Sequence, residues 1–181
     1  MNARQTEWPR RWLMTDERMG EQLWVAIDRL PGGHAGIVFR HYLLAPDARN
    51  ILASRVADIC QRRRLTLAIA RDVELARSLG ADLVHNPAER LSAVPFSRSV
   101  HSLAEAQSAR IEGATLVFVS PVRATGSHPG QKPLGRALAR RIAEATGAPA
   151  IALGGMDEQI FVRWEREGFY GWAGIDAWLR I

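Results

Sequence analysis

Eight short apolar runs divide this chain into repeated units, and most of them are followed by a polar loop and an amphipathic stretch. Their length and composition are typical of buried strands, which we expect at residues 12–15, 36–40, 65–70, 82–85, 95–99, 115–120, 148–153 and 170–175. Helices are expected between them at residues 47–61, 73–79, 103–111, 135–146 and 157–167. Eight such units in 181 residues favour a compact (β/α)8 TIM barrel over the alternative, an open doubly wound sheet.

Residues 1–181 are expected to form a single barrel domain. The chain is 47% hydrophobic, which is enough to bury one sizeable core but hardly two, and no linker rich in proline, serine or glycine divides it. Because the chain is short for such a barrel, we expect tight loops and a short last helix near residues 177–180. Four expected helices are each followed by a glycine, the residue that favours a left-handed cap: Gly80, Gly113, Gly147 and Gly168.

Nothing in the sequence predicts a membrane or secreted protein. No apolar run approaches the ~20 residues needed to span a bilayer, and residues 1–11 lack the apolar stretch of a signal peptide. The single cysteine, Cys60, cannot form an internal disulfide. We therefore expect a cytoplasmic protein without a membrane partner, and the sequence leaves open whether it forms a homo-oligomer.

The net charge of +5 raises the question of whether the chain binds nucleic acid. Lys132 is the only lysine, so nearly all of the positive charge comes from arginines that are scattered along the chain. The one cluster, residues 62–64, lies where a helix is expected to end, and cations there interact favourably with the helix dipole. No helix-turn-helix spacing or aromatic-basic pattern accompanies the cluster. The charge therefore favours anionic small substrates over nucleic acid.

Two glycine-containing segments near the C-terminus indicate phosphate binding. Residues 120–130 read SPVRATGSHPG, and residues 152–156 read ALGGM. Each segment begins within the last two residues of an expected strand. Glycines and small hydroxyl residues past the end of a strand let backbone N–H groups approach a phosphate closely. Two such segments in a chain of βα units predict a phosphate-binding site at the mouth of the barrel.

Several further short motifs follow the expected strands in register. They are Thr15-Asp16, Arg40 at the end of the second strand, Arg71-Asp72, the Gly-Ala-Asp-x-Val-His pattern at residues 80–85, Ser99-Val100-His101, Ser120-Pro121 with Thr125, and Gly154-Gly155. Together, over residues 13–177, these motifs resemble those of thiamine phosphate synthases and their TenI-like relatives, a family of small (β/α)8 barrels.

The resemblance implies a transferase of thiamine biosynthesis that joins hydroxymethylpyrimidine diphosphate to thiazole phosphate and releases pyrophosphate. It implies that Mg²⁺ is held by Asp72, and that the residues taking part in catalysis are Arg40, Ser99 and His128. The residues expected to bind substrate or phosphate are Arg40, Arg71, Ser99, Thr125, Ser127, Gly154 and Gly155. Positive charge around the leaving diphosphate is what such a reaction requires, because pyrophosphate departs before the thiazole nitrogen captures the pyrimidine cation.

Several positions depart from the family pattern. Tyr42 replaces a lysine and Arg71 an asparagine, whereas Arg90 stands where a second Mg²⁺-binding aspartate is usual and Asp176 where a serine often faces phosphate. Arginines at 71, 90 and 123 would neutralise a diphosphate without a metal. Either guanidinium groups replace Mg²⁺, or the diphosphate chemistry has been lost, and the sequence leaves both open. It predicts that Mg²⁺ binds weakly or not at all to the free protein.

Three functions therefore stay open. The first is thiamine phosphate synthase. The second is a TenI-like thiazole tautomerase, a proton-transfer enzyme whose histidine in the sixth-strand loop is replaced here by Pro121, so that His128 would serve only if its loop folds back. The third is a non-catalytic member of the family that binds phosphorylated ligands.

Overall fold

The strands of the protein close into a parallel barrel. A computed structural model describes residues 7–89, 93–124, 130 and 132–179. Each strand pairs with the next along the chain, and the last strand returns to pair with the first. The strands are β1 (Arg11–Met14), β2 (Ala35–Phe39), β3 (Thr66–Ala70), β4 (Leu83–His85), β5 (Phe96–Val100), β6 (Leu116–Val119), β7 (Ala150–Leu153) and β8 (Gly171–Gly174). The predicted (β/α)8 barrel is confirmed, with strand bounds that differ from the predicted ones by one or two residues.

Helices surround the strands. The described residues form α1 (Gln22–Asp28), α2 (Pro46–Arg63), α3 (Val73–Ser78), α4 (Leu103–Glu112), α5 (Arg136–Thr146) and α6 (Glu158–Glu165). The last five match the predicted helices within two residues, whereas α1 was not predicted because five consecutive apolar residues, 23–27, obscure its helical period. The expected short last helix is a single 3-10 turn, Asp176–Trp178. None of the helices described here is both long and apolar enough to cross a membrane.

Alternating side chains along the strands fill the interior of the barrel. Trp12 and Met14 of β1 point inward and pack with Phe118 of β6, whereas Leu13 packs against the surrounding helices. The Trp12 and Phe118 rings meet edge to face with centroids 5.6 Å apart. Trp12 fits because its register partner on β2 is Gly36, where an added Cβ would lie 2.5 Å from the indole ring. The pair therefore sets the size of the interior at this level.

The N-terminal segment closes the end of the barrel at which the strands begin. Trp8 packs against the interior side chains, and its indole nitrogen donates to the carbonyl oxygen of Thr115 at 2.9 Å. The Tyr170 hydroxyl donates to the Trp8 carbonyl, and the Trp12 indole donates to the Pro9 carbonyl at 2.6 Å. With this end covered by aromatic side chains, any large ligand must enter at the opposite end.

The basic cluster at residues 62–64 takes part in the fold. It ends α2, and Arg64 adopts a left-handed conformation with φ +54°. Arg63 donates to the carbonyl oxygens of Ile27, at 2.6 Å, and Leu30, which lie at and beyond the end of α1. The guanidinium thus satisfies carbonyls that a helix terminus leaves without partners.

Candidate active site at the mouth of the barrel

A cavity of about 510 Å³ opens where the strands end. Side chains at or just past the ends of most strands line it, and its size suits a small-molecule site. Of the predicted site residues, the cavity brings together Arg40, Ser99, Gly154 and Gly155. The predicted site residues Thr125, Ser127 and His128 lie outside the described residues, as does Arg90.

Arg40 extends the line of β2 into the cavity. Its backbone amide donates to Thr15 Oγ1 at 2.9 Å, and its Nε donates to the Thr15 carbonyl at 2.8 Å. Its Nη2 lies 3.6 Å from an Asp16 carboxylate oxygen. The side chain is 18% exposed, and burial lowers the pKa of the guanidinium, a group that keeps its charge in proteins. One edge of the group is therefore fixed by β1, and its charge faces the cavity.

Asp16 is held mainly by another arginine. A hydrogen bond from Arg18 lowers the pKa of the Asp16 carboxyl to about 2, with smaller contributions from the charges of Arg18 and Arg40. The carboxylate also accepts from the backbone amide of Arg18 at 3.0 Å, which begins the short turn after β1. Asp16 thus stays ionised and steadies the Arg40 guanidinium from one side.

Ser99 is positioned by a polar network at the ends of β4 and β5. The Asn86 side chain accepts from the Ser99 backbone amide at 2.8 Å, and its amide nitrogen lies 3.2 Å from Ser99 Oγ. The same amide nitrogen lies 3.2 Å from His85 Nε2, so Nε2 accepts this hydrogen bond. The ring proton of His85 therefore lies on Nδ1, which is 2.9 Å from Ser97 Oγ. Ser99 Oγ completes the network at 3.2 Å from His85 Nε2.

His85 is neutral in this network. Its side chain is buried, and burial lowers its pKa to about 3, helped by the charges of Arg40, Arg98 and Arg71. A neutral imidazole with both nitrogens engaged is poorly suited to move protons at neutral pH. The role that its contacts support is to orient Ser99.

Gly154 and Gly155 form the turn after β7. Both have positive φ, +107° and +58°, and a Cβ at Gly155 would lie 2.5 Å from the carbonyl oxygen of Ala124. A Cβ at Gly154 would lie 3.2 Å from Pro121 Cα. Glycine is thus required at both positions, because the backbone conformation and the close neighbouring atoms both disfavour a side chain. None of the hydrogen bonds found among the described residues uses either amide.

Charges of both signs surround the mouth. Arg123 follows β6 and Arg40 follows β2, and both line the cavity; these two strands lie on opposite sides of the eight-stranded barrel. Asp157 and Asp176 also line it. Asp157 accepts from the amide of Ile160 at 2.8 Å and thereby caps α6.

Arg71 and Asp72 lie in an adjacent groove rather than in the cavity. This groove follows β3 and has a volume of about 500 Å³, and Tyr42 lines both it and the cavity. Arg71 has a left-handed φ of +66°, and its guanidinium carbon lies 4.6 Å from the centre of the Tyr42 ring. Both residues therefore line the groove after β3 and not the main cavity.

Asp72 already has partners for both carboxylate oxygens. Oδ1 accepts from the Leu75 amide at 2.9 Å and caps α3, and Oδ2 accepts from Arg49 Nη1 at 2.9 Å. Within the described residues, no group of three or more His, Cys, Asp or Glu side chains is placed to hold a metal ion. The described residues therefore do not fit the Mg²⁺ site that the family resemblance implies.

Two of the residues that position the site were not predicted. Asn86 directly follows a strand and a histidine, a placement that predicts a site residue in a barrel, and this signal was available in the sequence. Arg49 lies in the first turn of α2, where an arginine is typical of a solvated helix face, and no sequence signal distinguishes it.

Comparisons with known proteins agree on one family. The family model described as thiamine monophosphate synthase matches residues 12–177. The chain is 29% identical to "Putative thiamine-phosphate synthase 2" of Aquifex aeolicus, over 96% of this chain and 99% of that protein. It is 34% identical to "Thiamine-phosphate synthase" of Thermus thermophilus, over 82% of this chain and 78% of that protein. The solved thiamine phosphate pyrophosphorylase of Pyrococcus furiosus shares the fold, with a TM-score of 0.78 at 21% identity over 93% of this chain and 86% of that one.

Proposed function

The chain belongs to the thiamine monophosphate synthase family, and on this premise we propose that it joins hydroxymethylpyrimidine diphosphate to thiazole phosphate and releases pyrophosphate. It is then a transferase of thiamine biosynthesis that acts on two phosphorylated small molecules. The observation that carries the proposal is that Arg40, Ser99 and the Gly154-Gly155 turn line one cavity at the strand ends.

The charges of the mouth support two anionic substrates. Arg40 and Arg123 face the cavity from opposite sides, and the Gly154-Gly155 amides add a further anion-binding surface beside Arg123. We propose that Arg40 binds the diphosphate, aided by Arg71 from the adjacent groove. Thiazole phosphate then binds at the Gly154-Gly155 turn.

The reaction needs little general acid or base chemistry. The bond between the pyrimidine methylene carbon and the diphosphate oxygen breaks, and the electron pair leaves with pyrophosphate. The thiazole nitrogen supplies the pair for the new carbon–nitrogen bond. Arg40 stabilises the charge that develops on the leaving oxygen, and Ser99, held by Asn86 and His85, offers a hydroxyl to the pyrimidine. Thr125 and Ser127 as phosphate ligands, and His128 as a catalytic residue, stay predictions.

The alternatives differ in what they require of the site. A tautomerase must move a proton, and Pro121 offers no titratable group at the position of the family histidine, so this function would depend on His101, which lines the cavity, or on His128, which lies outside the described residues. A non-catalytic protein would bind thiazole phosphate without converting it. A cytoplasmic location and a homo-oligomeric state also stay predictions.

The experiment that tests the proposal is product formation from purified protein. We expect thiamine phosphate to form from the two precursors and Arg40→Ala to lower kcat/KM at least about 100-fold, because one charge-assisted contact to the leaving group is lost. Arg77→Ala is the matched control, because Arg77 is exposed and its guanidinium pairs with Glu74 one turn earlier on α3, outside the cavity. Absence of product both with and without Mg²⁺ would refute the synthase. Interconversion of thiazole tautomers would then identify the second function, and binding alone the third.

A further inference from the structure

The side chain of Tyr42 forms a wall shared by the main cavity and the groove after β3, because it lines both. Arg40 lines the cavity but not the groove, and Arg71 lines the groove but not the cavity. Burial raises the pKa of the Tyr42 phenol, whereas the charges of both arginines lower it. Both guanidinium groups are therefore close enough to this one side chain to interact with it.

The Arg71 guanidinium lies against the face of the Tyr42 ring. Its carbon is 4.6 Å from the ring centre, within the roughly 6 Å over which an aromatic face attracts a cation. Among the residues that the structure describes, no hydrogen bond or ion pair uses this guanidinium. Stacking on a ring occupies the face of the group and not its edge, so its N–H groups stay available to a ligand.

The backbone of Arg71 is held in a conformation that residues with a side chain seldom adopt. Its φ is +66°. Its amide donates to the carbonyl oxygen of His85, at the end of β4, at 2.8 Å. Conformations of this kind persist where the surrounding contacts fix them, and they cluster at functional sites. The barrel thus fixes the start of the Arg71 side chain, and the Tyr42 ring contacts its end.

The other charged side chains of the groove have partners of their own. Asp72 pairs with Arg49 at 2.9 Å, and Glu74 pairs with Arg77 at 2.8 Å. Within the described part of the chain, Arg71 is therefore the one charged group lining the groove that has no ion-pair partner. The groove offers an anion a single unpaired cation, placed beside the main cavity.

We propose that Tyr42 is a positioning residue for the diphosphate, because its ring holds the Arg71 guanidinium where Arg71 and Arg40 can bind one anion from the groove and from the cavity. The inference rests on the proposed function and adds a residue to it. The two residues in contact are also two of the departures from the family pattern, in which position 42 is a lysine and position 71 an asparagine. A guanidinium stacked on the ring at 42 then takes the place of the lysine charge.

The test is calorimetric titration with pyrophosphate, in a buffer with Mg²⁺ so that binding with or without a metal ion is covered. Arg71→Met should weaken binding about tenfold, because a charge-assisted contact is lost. Tyr42→Leu should weaken it about threefold to fivefold, as expected for the loss of an exposed cation–π contact. Tyr42→Phe keeps the ring and should bind as wild type does. Arg77→Met is the matched control, since Arg77 is exposed and lines neither the cavity nor the groove.

Two further measurements distinguish positioning from a general effect on the structure. In the Arg71→Met background, Tyr42→Leu should cause no further loss of pyrophosphate affinity, because the side chain that it positions is absent. The affinity for thiazole phosphate should be the same in all of these variants, since that ligand is proposed to bind at the Gly154-Gly155 turn. Circular dichroism establishes that each variant is folded.

Three results would overturn the proposal. The first is a Tyr42→Leu variant that binds pyrophosphate as wild type does while Arg40→Ala and Arg71→Met bind it weakly, and this result leaves the proposed function standing. The second is a loss in Tyr42→Leu that persists in the Arg71→Met background or extends equally to thiazole phosphate. The third is an absence of pyrophosphate binding by wild type, which would also refute the diphosphate site of the proposed function.

Discussion

Replacing Gly155 with alanine should weaken both the fold and phosphate binding at the mouth. Two separate costs follow from the structure. The first is conformational, because φ at this position is +58° and an L-residue with a side chain pays roughly 1–2 kcal/mol in the left-handed region. The second is steric, because the new Cβ would lie 2.5 Å from the carbonyl oxygen of Ala124.

A variant at Gly80 distinguishes the conformational cost from the steric cost. Its φ is +63°, nearly the same, but a Cβ there meets nothing within 4 Å, and the residue lies after α3 at the end of the barrel away from the mouth. Gly80→Ala should therefore show the conformational cost alone, about 1 kcal/mol after the gain from a less flexible unfolded chain, or a fall in Tm of about 2–4 °C. Gly155→Ala should lose roughly 2–4 kcal/mol, since the overlap adds to that cost.

Measuring the affinity for thiazole phosphate tests whether this turn binds the phosphate. Relieving the overlap must move the Gly154-Gly155 turn and the chain at Ala124 apart by roughly half an ångström, because carbon–oxygen contacts below 3.0 Å essentially never occur. A shift of this size at an anion-binding turn should weaken thiazole phosphate binding about tenfold in calorimetry. Gly80→Ala should leave the affinity unchanged. Equal affinity in both variants, with Gly155→Ala still folded, would show that the turn does not bind the phosphate.

Three other measurements follow from contacts inside the barrel. The pKa of His85 is about 3 in the folded protein against 6.5 for the free side chain, so the unfolded chain binds more protons between these values and stability falls as pH drops below 6.5. Urea unfolding should show about 2 kcal/mol lost between pH 7 and pH 5, and a His85→Gln variant with the same loss would contradict this. Gly36→Ala should cost roughly 3 kcal/mol because its Cβ overlaps the Trp12 ring, and Trp12→Leu in the same chain should recover part of it; no recovery would refute the steric explanation. Asn86→Ala frees the backbone amide of Ser99 and should lower kcat/KM about tenfold with little change in Tm, whereas unchanged kinetics would separate Ser99 from the reaction.

The sequence was sufficient to predict the barrel and several of the residues that line the cavity at its mouth. In a closed parallel barrel all strands end on the same side, so residues just past the strands meet there whatever their distance along the chain. The Gly154-Gly155 turn was located by this rule, and Arg40 and Ser99 by the family resemblance, whose motifs follow the strands in register.

What could not be predicted depends on how the chain leaves a strand. Arg71 and Asp72 follow β3 as the rule requires, yet they line a neighbouring groove, and Arg71 has a left-handed conformation there that the sequence does not signal. The choice between a helix cap and a metal ligand for Asp72 was equally out of reach, because it depends on Arg49, whose position in α2 is set by packing against Phe39. Backbone conformation at one residue and packing across two elements leave no periodic signal in a sequence.

The N-terminal aromatic segment has a consequence for how the protein is made. Trp8 accepts a hydrogen bond from Tyr170, 162 residues later, and β1 pairs with β8. A ribosome therefore releases the first strand long before its second neighbour exists, and every shorter nascent chain carries an unpaired edge on β1 next to the indole of Trp12. Closure must wait until β8 has been made and involves contacts of very high sequence separation, which makes it slow. A chain that stops before β8 would leave an open sheet with unpaired strand edges. We therefore expect premature termination to yield aggregates and not a partly active protein.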